Sequence, residues 1–237
     1  MFQKVINVFI LFYFSCSITF GQDLTKDLEQ IVKNLDSTVS VSIKVNIDVY
    51  SRKGGSKTYS SFASMQHQKN SSLNVLAEQV NFENESYQVS VDNEEKSILI
   101  IKKTQKKEEK INKQKLAEDI KKLQKSLFDD EDKVKDTKVV KIVSNSAGVR
   151  KYSITKIKDL KEIILVVDMN TNTIKSISYE YTNESEMKGQ YILLDYTEFK
   201  TGLDLSSQLS TSKYFTESKG TYVLAPAYKT YKLFTEL

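Results

Sequence analysis

His67 is the only histidine in the 237-residue chain, and it sits in the polar stretch Gln66-His67-Gln68. A metal centre built on two histidines, or on two histidines and a carboxylate, is therefore excluded. A Ser-His-acid triad would have to use this one imidazole, and no Gly-x-Ser-x-Gly elbow or glycine-rich phosphate loop accompanies it. Thirty-one acidic residues supply carboxylates, but no spacing singles out a pair as acid and base. Asp168-Met169-Asn170-Thr171-Asn172 imitates the start of a calcium loop, with oxygen ligands at positions one, three and five. That loop needs glycine at six and glutamate at twelve. Thr173 and Tyr179 stand there instead, so the segment reads as an Asp/Asn-rich hairpin turn. Asn70-Ser71-Ser72, Asn84-Glu85-Ser86 and Asn183-Glu184-Ser185 are glycosylation sequons, relevant only in a eukaryotic host. No cofactor or metal ligand set emerges, and the expectation is a protein that is not an enzyme.

The elements that would position any site are clearer. In VSVSIKVNIDVYS, Val39 to Ser51, the apolar residues Val39, Val41, Ile43, Val45, Ile47 and Val49 alternate with polar ones. A two-residue period puts one apolar row on one face of a strand. At roughly 3.3 Å per residue such a strand runs about 40 Å, a spine across which others pair. Leu24, Leu28, Ile31, Val32 and Leu35 form one helical face, predicting a helix over Asp23 to Ser37 that covers the dry side of the spine. Strands are expected at Thr58 to Gln68, Leu73 to Phe82, Tyr87 to Val91 and, buried on both sides, Ser97 to Lys102. Others follow at Thr137 to Val143, Val149 to Lys156, Ile163 to Met169, Ile174 to Tyr181 and Gln190 to Phe199. Leu203 to Leu209 reads as weakly helical, and Tyr228 to Phe234 as a last aromatic strand.

Met1 to Gly21 reads as a secretory signal peptide. Lys4 supplies the positive charge, VINVFILFYF the apolar core, and Thr19-Phe20-Gly21 the cleavage motif. The apolar run falls short of the roughly 20 residues of a membrane span. Lipidation of Cys16 is the weaker alternative, because the residues before it lack the expected motif. Cleavage before Gln22 leaves a single domain, 22–237, with no cysteine, so thiolate chemistry and disulfides are excluded. Removal of Lys4 leaves 34 basic residues against 31 acidic, too mild an excess to imply nucleic acid. From Lys102 to Lys125 ten lysines meet four acids. This stretch predicts a charged helical insertion over about 103–132, either a solvated face or a flap for anionic lipid or a partner.

The order of parts resembles the periplasmic lipoprotein-carrier (LolA-like) family, and in particular its uncharacterised Bacteroidetes branch. The resemblance rests on the helix LEQIVKNL, the long alternating strand and YQVSVDNEEKSILI. It extends to ILVVDMNTNTIKSISYEY, GQYILLDYTEF and the C-terminal YVLAPAYKTYKL. It implies a mainly β fold with helices: a curved antiparallel sheet forming an incomplete β-barrel, the N-terminal helix and basic insertion on or near its concave face. It implies an exported periplasmic protein that holds a lipid, a lipoprotein acyl chain or another apolar ligand there. The family's lid is latched by an arginine in the second or third strand. KTYSSFASMQH has none, and the mature chain offers Arg52 and Arg150. Val41, Ile43, Val45 and Ile47, with Phe62, Leu165 and Tyr179, are the residues expected to line the ligand face. The alternative is a structural or adaptor protein of the envelope whose concave face is filled by its own helices.

Overall fold

The computed structural model describes residues 22–36, 40–103 and 139–236. The expected signal segment, most of the expected basic insertion and Val39 lie outside the described residues. The amphipathic segment forms helix α1, Gln22–Asp36, one residue earlier than its apolar spacing suggests. The spine is β1, Ser40–Tyr50. It leads through a turn to β2, Lys57–Gln68, and then to β3, Ser71–Leu76, and β4, Gln79–Glu83. β5, Tyr87–Asp92, and β6, Ser97–Lys102, complete the first run.

After the insertion come β7, Val139–Ser146, β8, Val149–Thr155, and β9, Leu160–Asp168. β10, Thr173–Tyr181, and the long β11, Tyr191–Thr201, return the chain to the spine. A hairpin of β12, Phe215–Ser218, and β13, Thr221–Leu224, precedes a last strand β14, Lys232–Glu236.

Twelve of these strands form one curved sheet that does not close into a barrel, in the order β14-β6-β5-β4-β3-β2-β1-β11-β10-β9-β8-β7. β1 is central, pairing β2 on one side and β11 on the other. Every pairing in the sheet is antiparallel except that of β14, which lies parallel to β6. This is the mainly β, antiparallel architecture expected. The stretch Leu73 to Phe82 is two strands, not one. Ala77 adopts a positive φ of 50° and reverses the chain, a conformation that non-glycine residues seldom take. Ala-Glu carries no turn signature, so the alternation runs on across the break. Leu203 to Leu209 is irregular, and Tyr228 closes a short 3-10 turn, Pro226–Tyr228, ahead of the last strand. Ser97 to Lys102 is buried on one side only: Ile98 and Ile100 are inaccessible, whereas Leu99 and Ile101 are half-buried.

Directly paired residues on neighbouring strands share a face, so the register shows where the core lies. Tyr152, Leu165, Ile177, Leu194 and Ile47 make one row across β8, β9, β10, β11 and β1. All five are buried, with Leu24, Leu28 and Ile31 of α1 in the same cluster. Beyond β1 that face turns polar: Ile43 pairs with Met65, followed by Asn74, Asn81 and Ser90. On the opposite face the trend reverses. Ser42 and Gln66 lead to Leu73, Phe82, Val89 and Ile100. The sheet therefore buries one face in its first half and the other face in its second. Leu205, Leu209, Tyr214, Phe215 and Tyr222 cover that second core.

Candidate functional site

α1 positions the first candidate site. Leu24, Asp27, Leu28 and Ile31 recur at i, i+3, i+4 and i+7, which places all four on one side of the helix. All four are buried. An acid therefore sits in the middle of an apolar stripe. Its carboxylate is met from the sheet by Arg150 and Tyr152 of β8. Arg150 Nη1 donates to both carboxylate oxygens of Asp27, at 3.0 and 2.9 Å. The Tyr152 hydroxyl donates to Asp27 Oδ2 at 2.5 Å and accepts from Arg150 Nη1 at 3.3 Å. Arg150 and Tyr152 are two residues apart on one strand and so share its face.

Asp27 is 6% exposed, and Arg150 reaches water with a fifth of its side chain. Burial, then the Asp27 bond, pushes the Tyr152 phenol far above its ordinary range, so it stays a donor. The hydrogen bond with Tyr152 is the leading reason that the Arg150 guanidinium is held above its usual value. The three groups form one clasp between helix and sheet. The apolar spacing of α1 does not point to Asp27, although an acid at i+3 within such a stripe signals a buried partner. Arg150, one of two arginines in the chain, is the cation available to it.

Six of the seven residues expected to line the apolar face share that face. Val41, Ile43, Val45, Ile47, Leu165 and Tyr179 belong to the cluster beneath α1, none more than 7% exposed. Phe62 does not join them. It pairs with Asn46, which puts it on the opposite face of β2, and it is 49% exposed. The polar register of β2 hides which of its residues face inward. Met65 and Ala63, opposite Ile43 and Val45, pack at the margin of the cluster in its place.

The cluster is not wholly satisfied. Among the described residues, the Tyr179 hydroxyl, Ser61 Oγ and Arg150 Nε are buried and find no hydrogen-bond partner. Desolvation drives the Tyr179 phenol well above its ordinary value.

A second feature is a polar cleft of about 330 Å³ between the β2–β3 and β4–β5 turns, lined among others by Gln68, Asn70, Asn84, Glu85 and Ser206. Asn70 Nδ2 donates to Glu85 Oε1 at 2.5 Å across it. The sequons at Asn70 and Asn84 both border this cleft. His67 is exposed on β2. The calcium-like segment is the β9–β10 turn: Asp168 Oδ1 accepts from the backbone N–H groups of Asn170 and Thr171, and Lys175 pairs with Oδ2 at 3.2 Å. That carboxylate serves the hairpin. Among the described residues no helix is long and apolar enough to cross a membrane.

No family model matches the sequence, and no curated protein matches it. Solved structures with a similar arrangement include an uncharacterised conserved protein from Thermus thermophilus. That likeness has 9% identity and a TM-score of 0.44 over 91% of this chain and 100% of the other. A DUF1329 family protein from Desulfovibrio piger matches at 12% identity and a TM-score of 0.32, over 79% of this chain and 97% of its own. A domain assigned provisionally as an outer membrane lipoprotein-sorting protein, from Vibrio parahaemolyticus, matches at 7% identity and a TM-score of 0.30. It covers 77% of this chain and 94% of its own. Likenesses at this level assign no activity.

Proposed function

We propose that this is an exported envelope protein that shelters an acyl chain, of a lipid or a lipoprotein, on the sheet face beneath α1. The observation that carries this reading is the clasp of Asp27, Arg150 and Tyr152, set into an otherwise apolar contact between one helix and the sheet. A buried ion pair adds little net stability over apolar residues of the same volume, and its common use is to specify one arrangement. Here it fixes the seating of a helix whose contribution to the core, among the described side chains, is Leu24, Leu28 and Ile31. An acyl chain replaces those three side chains on Ile43, Val45, Ile47 and Leu165 when α1 lifts. Each buried methylene contributes about 0.8 kcal/mol, so a chain of ordinary length offsets the loss of the helix contacts. A periplasmic location, with the signal segment removed before Gln22, goes with this reading.

The filled state of the face supports the alternative. Its residues are already buried by the chain's own side chains, as in a structural or adaptor protein of the envelope that binds no lipid. Native mass spectrometry and lipid extraction of protein from its own host separate the two. The carrier reading predicts bound lipid in the wild type. It also predicts that any folded Val45→Lys protein carries no lipid, because an ammonium at that position opposes an acyl chain. Lipid-free wild type that ignores fluorescent fatty acids would retire it in favour of the adaptor.

A further inference from the structure

Tyr179 stands on β10 opposite Ile163 of β9 and Ile192 of β11, on the helix-bearing face. It is 5% exposed, and its hydroxyl finds no hydrogen-bond partner among the described residues. Tyr152 on the same face shows what a partnered phenol looks like there, since its hydroxyl is bonded to both Asp27 and Arg150. A buried hydroxyl with no partner loses its bonds to water without replacement. Phenylalanine would fill the same space without that penalty, and the polar group therefore needs a reason. Ser61, which faces the same side opposite Ile47, also holds a buried oxygen with no partner among the described residues.

Burial keeps the Tyr179 phenol neutral and able to donate. The titratable neighbours felt by it are Tyr196 and Tyr181, both phenols. Arg150, a cation on this face, is already paired with Asp27. Among the described residues, a charged headgroup placed beside Tyr179 would thus find no free cation, and an isolated buried charge is strongly disfavoured. A neutral carbonyl oxygen would not.

We propose that the Tyr179 hydroxyl is the polar anchor of the acyl site, donating to the carbonyl oxygen of an ester-linked acyl chain, and that it selects esters over free fatty acids. This rests on the reading that the face beneath α1 receives an acyl chain. Ligand sites of this kind are mostly apolar with few placed polar groups, and Tyr179 is such a group.

The test uses delipidated protein and its Tyr179→Phe variant, each titrated calorimetrically with 1-monooleoylglycerol and with oleate, with thermal melts alongside. Wild type is expected to bind the glycerol ester more tightly than oleate. Tyr179→Phe is expected to weaken ester binding about tenfold, equivalent to about 1.4 kcal/mol, to leave oleate binding unchanged and to melt no lower than wild type. Unchanged ester affinity in the variant would overturn the anchor while leaving the acyl site standing. A melting temperature several degrees lower would also overturn it, because the hydroxyl would then be bonded in the unliganded protein. Wild type that binds neither compound would remove the acyl site itself and the anchor with it.

Discussion

The two halves of the sheet are covered in different ways. Over β1 and β8–β11 the cover among the described residues is α1, the helix ahead of β1, joined to the sheet by Leu24, Leu28, Ile31 and the Asp27 clasp. Over β4–β6, on the opposite face, the cover is the segment from Leu203 to Tyr231. It is stitched in by a chain of ring contacts: Phe82 with Tyr214 at 5.3 Å, Tyr214 with Tyr228 at 5.8 Å, and Tyr228 with Tyr231 at 5.1 Å. Tyr231 also donates to Asn93 Oδ1 at 2.9 Å, and β14 then zips onto β6. The first cover is held, among the described residues, by one polar clasp and a few apolar side chains. Removing the other would strip several aromatic side chains and a strand. On the proposed reading, release belongs to the first half and permanence to the second.

Truncation inside each core tests that division first. Phe82→Ala is expected to cost about 3–5 kcal/mol and Ile43→Ala about 2–5 kcal/mol, read from denaturant midpoints. A negligible loss for Ile43→Ala would mean that the spine's register is wrong. The clasp comes next. Arg150→Met leaves the Asp27 carboxylate buried without its cation and should cost about 2–4 kcal/mol, below the usual range for a broken buried pair because Arg150 is partly exposed. Adding Asp27→Leu to it should restore most of that loss. Failure of the double variant to recover would show that the clasp contributes net stability, and would weaken the case for a releasable helix.

The smallest expected effect lies on the wet side of the first half. The Lys57 ammonium holds the Asp48 carboxyl below its ordinary range, and the Ser153 and Ser42 hydroxyls lead in doing the same for Glu162 and Glu198. Depressed carboxyls contribute stability that is fully present above their unfolded pKa, and they lose it as pH falls through the folded values. Thermal melts should therefore be flat through neutral pH and fall below about pH 4. Asp48→Asn should flatten that fall slightly. An unchanged acid limb would mean that the Lys57 pair is fully screened.

The first half was legible in the sequence because its residues alternate cleanly. Val41 to Ile47 and Ile163 to Val167 each put a complete apolar row on one side, and Leu24, Leu28 and Ile31 match a helical stripe. The exchange of faces was not legible. It occurs across β2 and β3, where KTYSSFASMQHQ carries no period because neither side of that strand is deeply covered. Phe62, on such a strand, falls on the other face with nothing in its spacing to show it. The second cover was hidden too, since its residues are aromatic anchors in irregular chain whose spacing obeys no period. Asp27 with Arg150 was hidden by distance, being 123 residues apart.

Amide hydrogen exchange, with and without saturating 1-monooleoylglycerol, bears most directly on the claim that α1 is a displaceable cover. Local opening free energies separate parts of one fold in this experiment. Bound lipid should reduce protection across Gln22–Asp36 while Phe215–Ser218 and Thr221–Leu224 keep theirs. Lipid that binds while the helix amides stay as protected as before would contradict the claim.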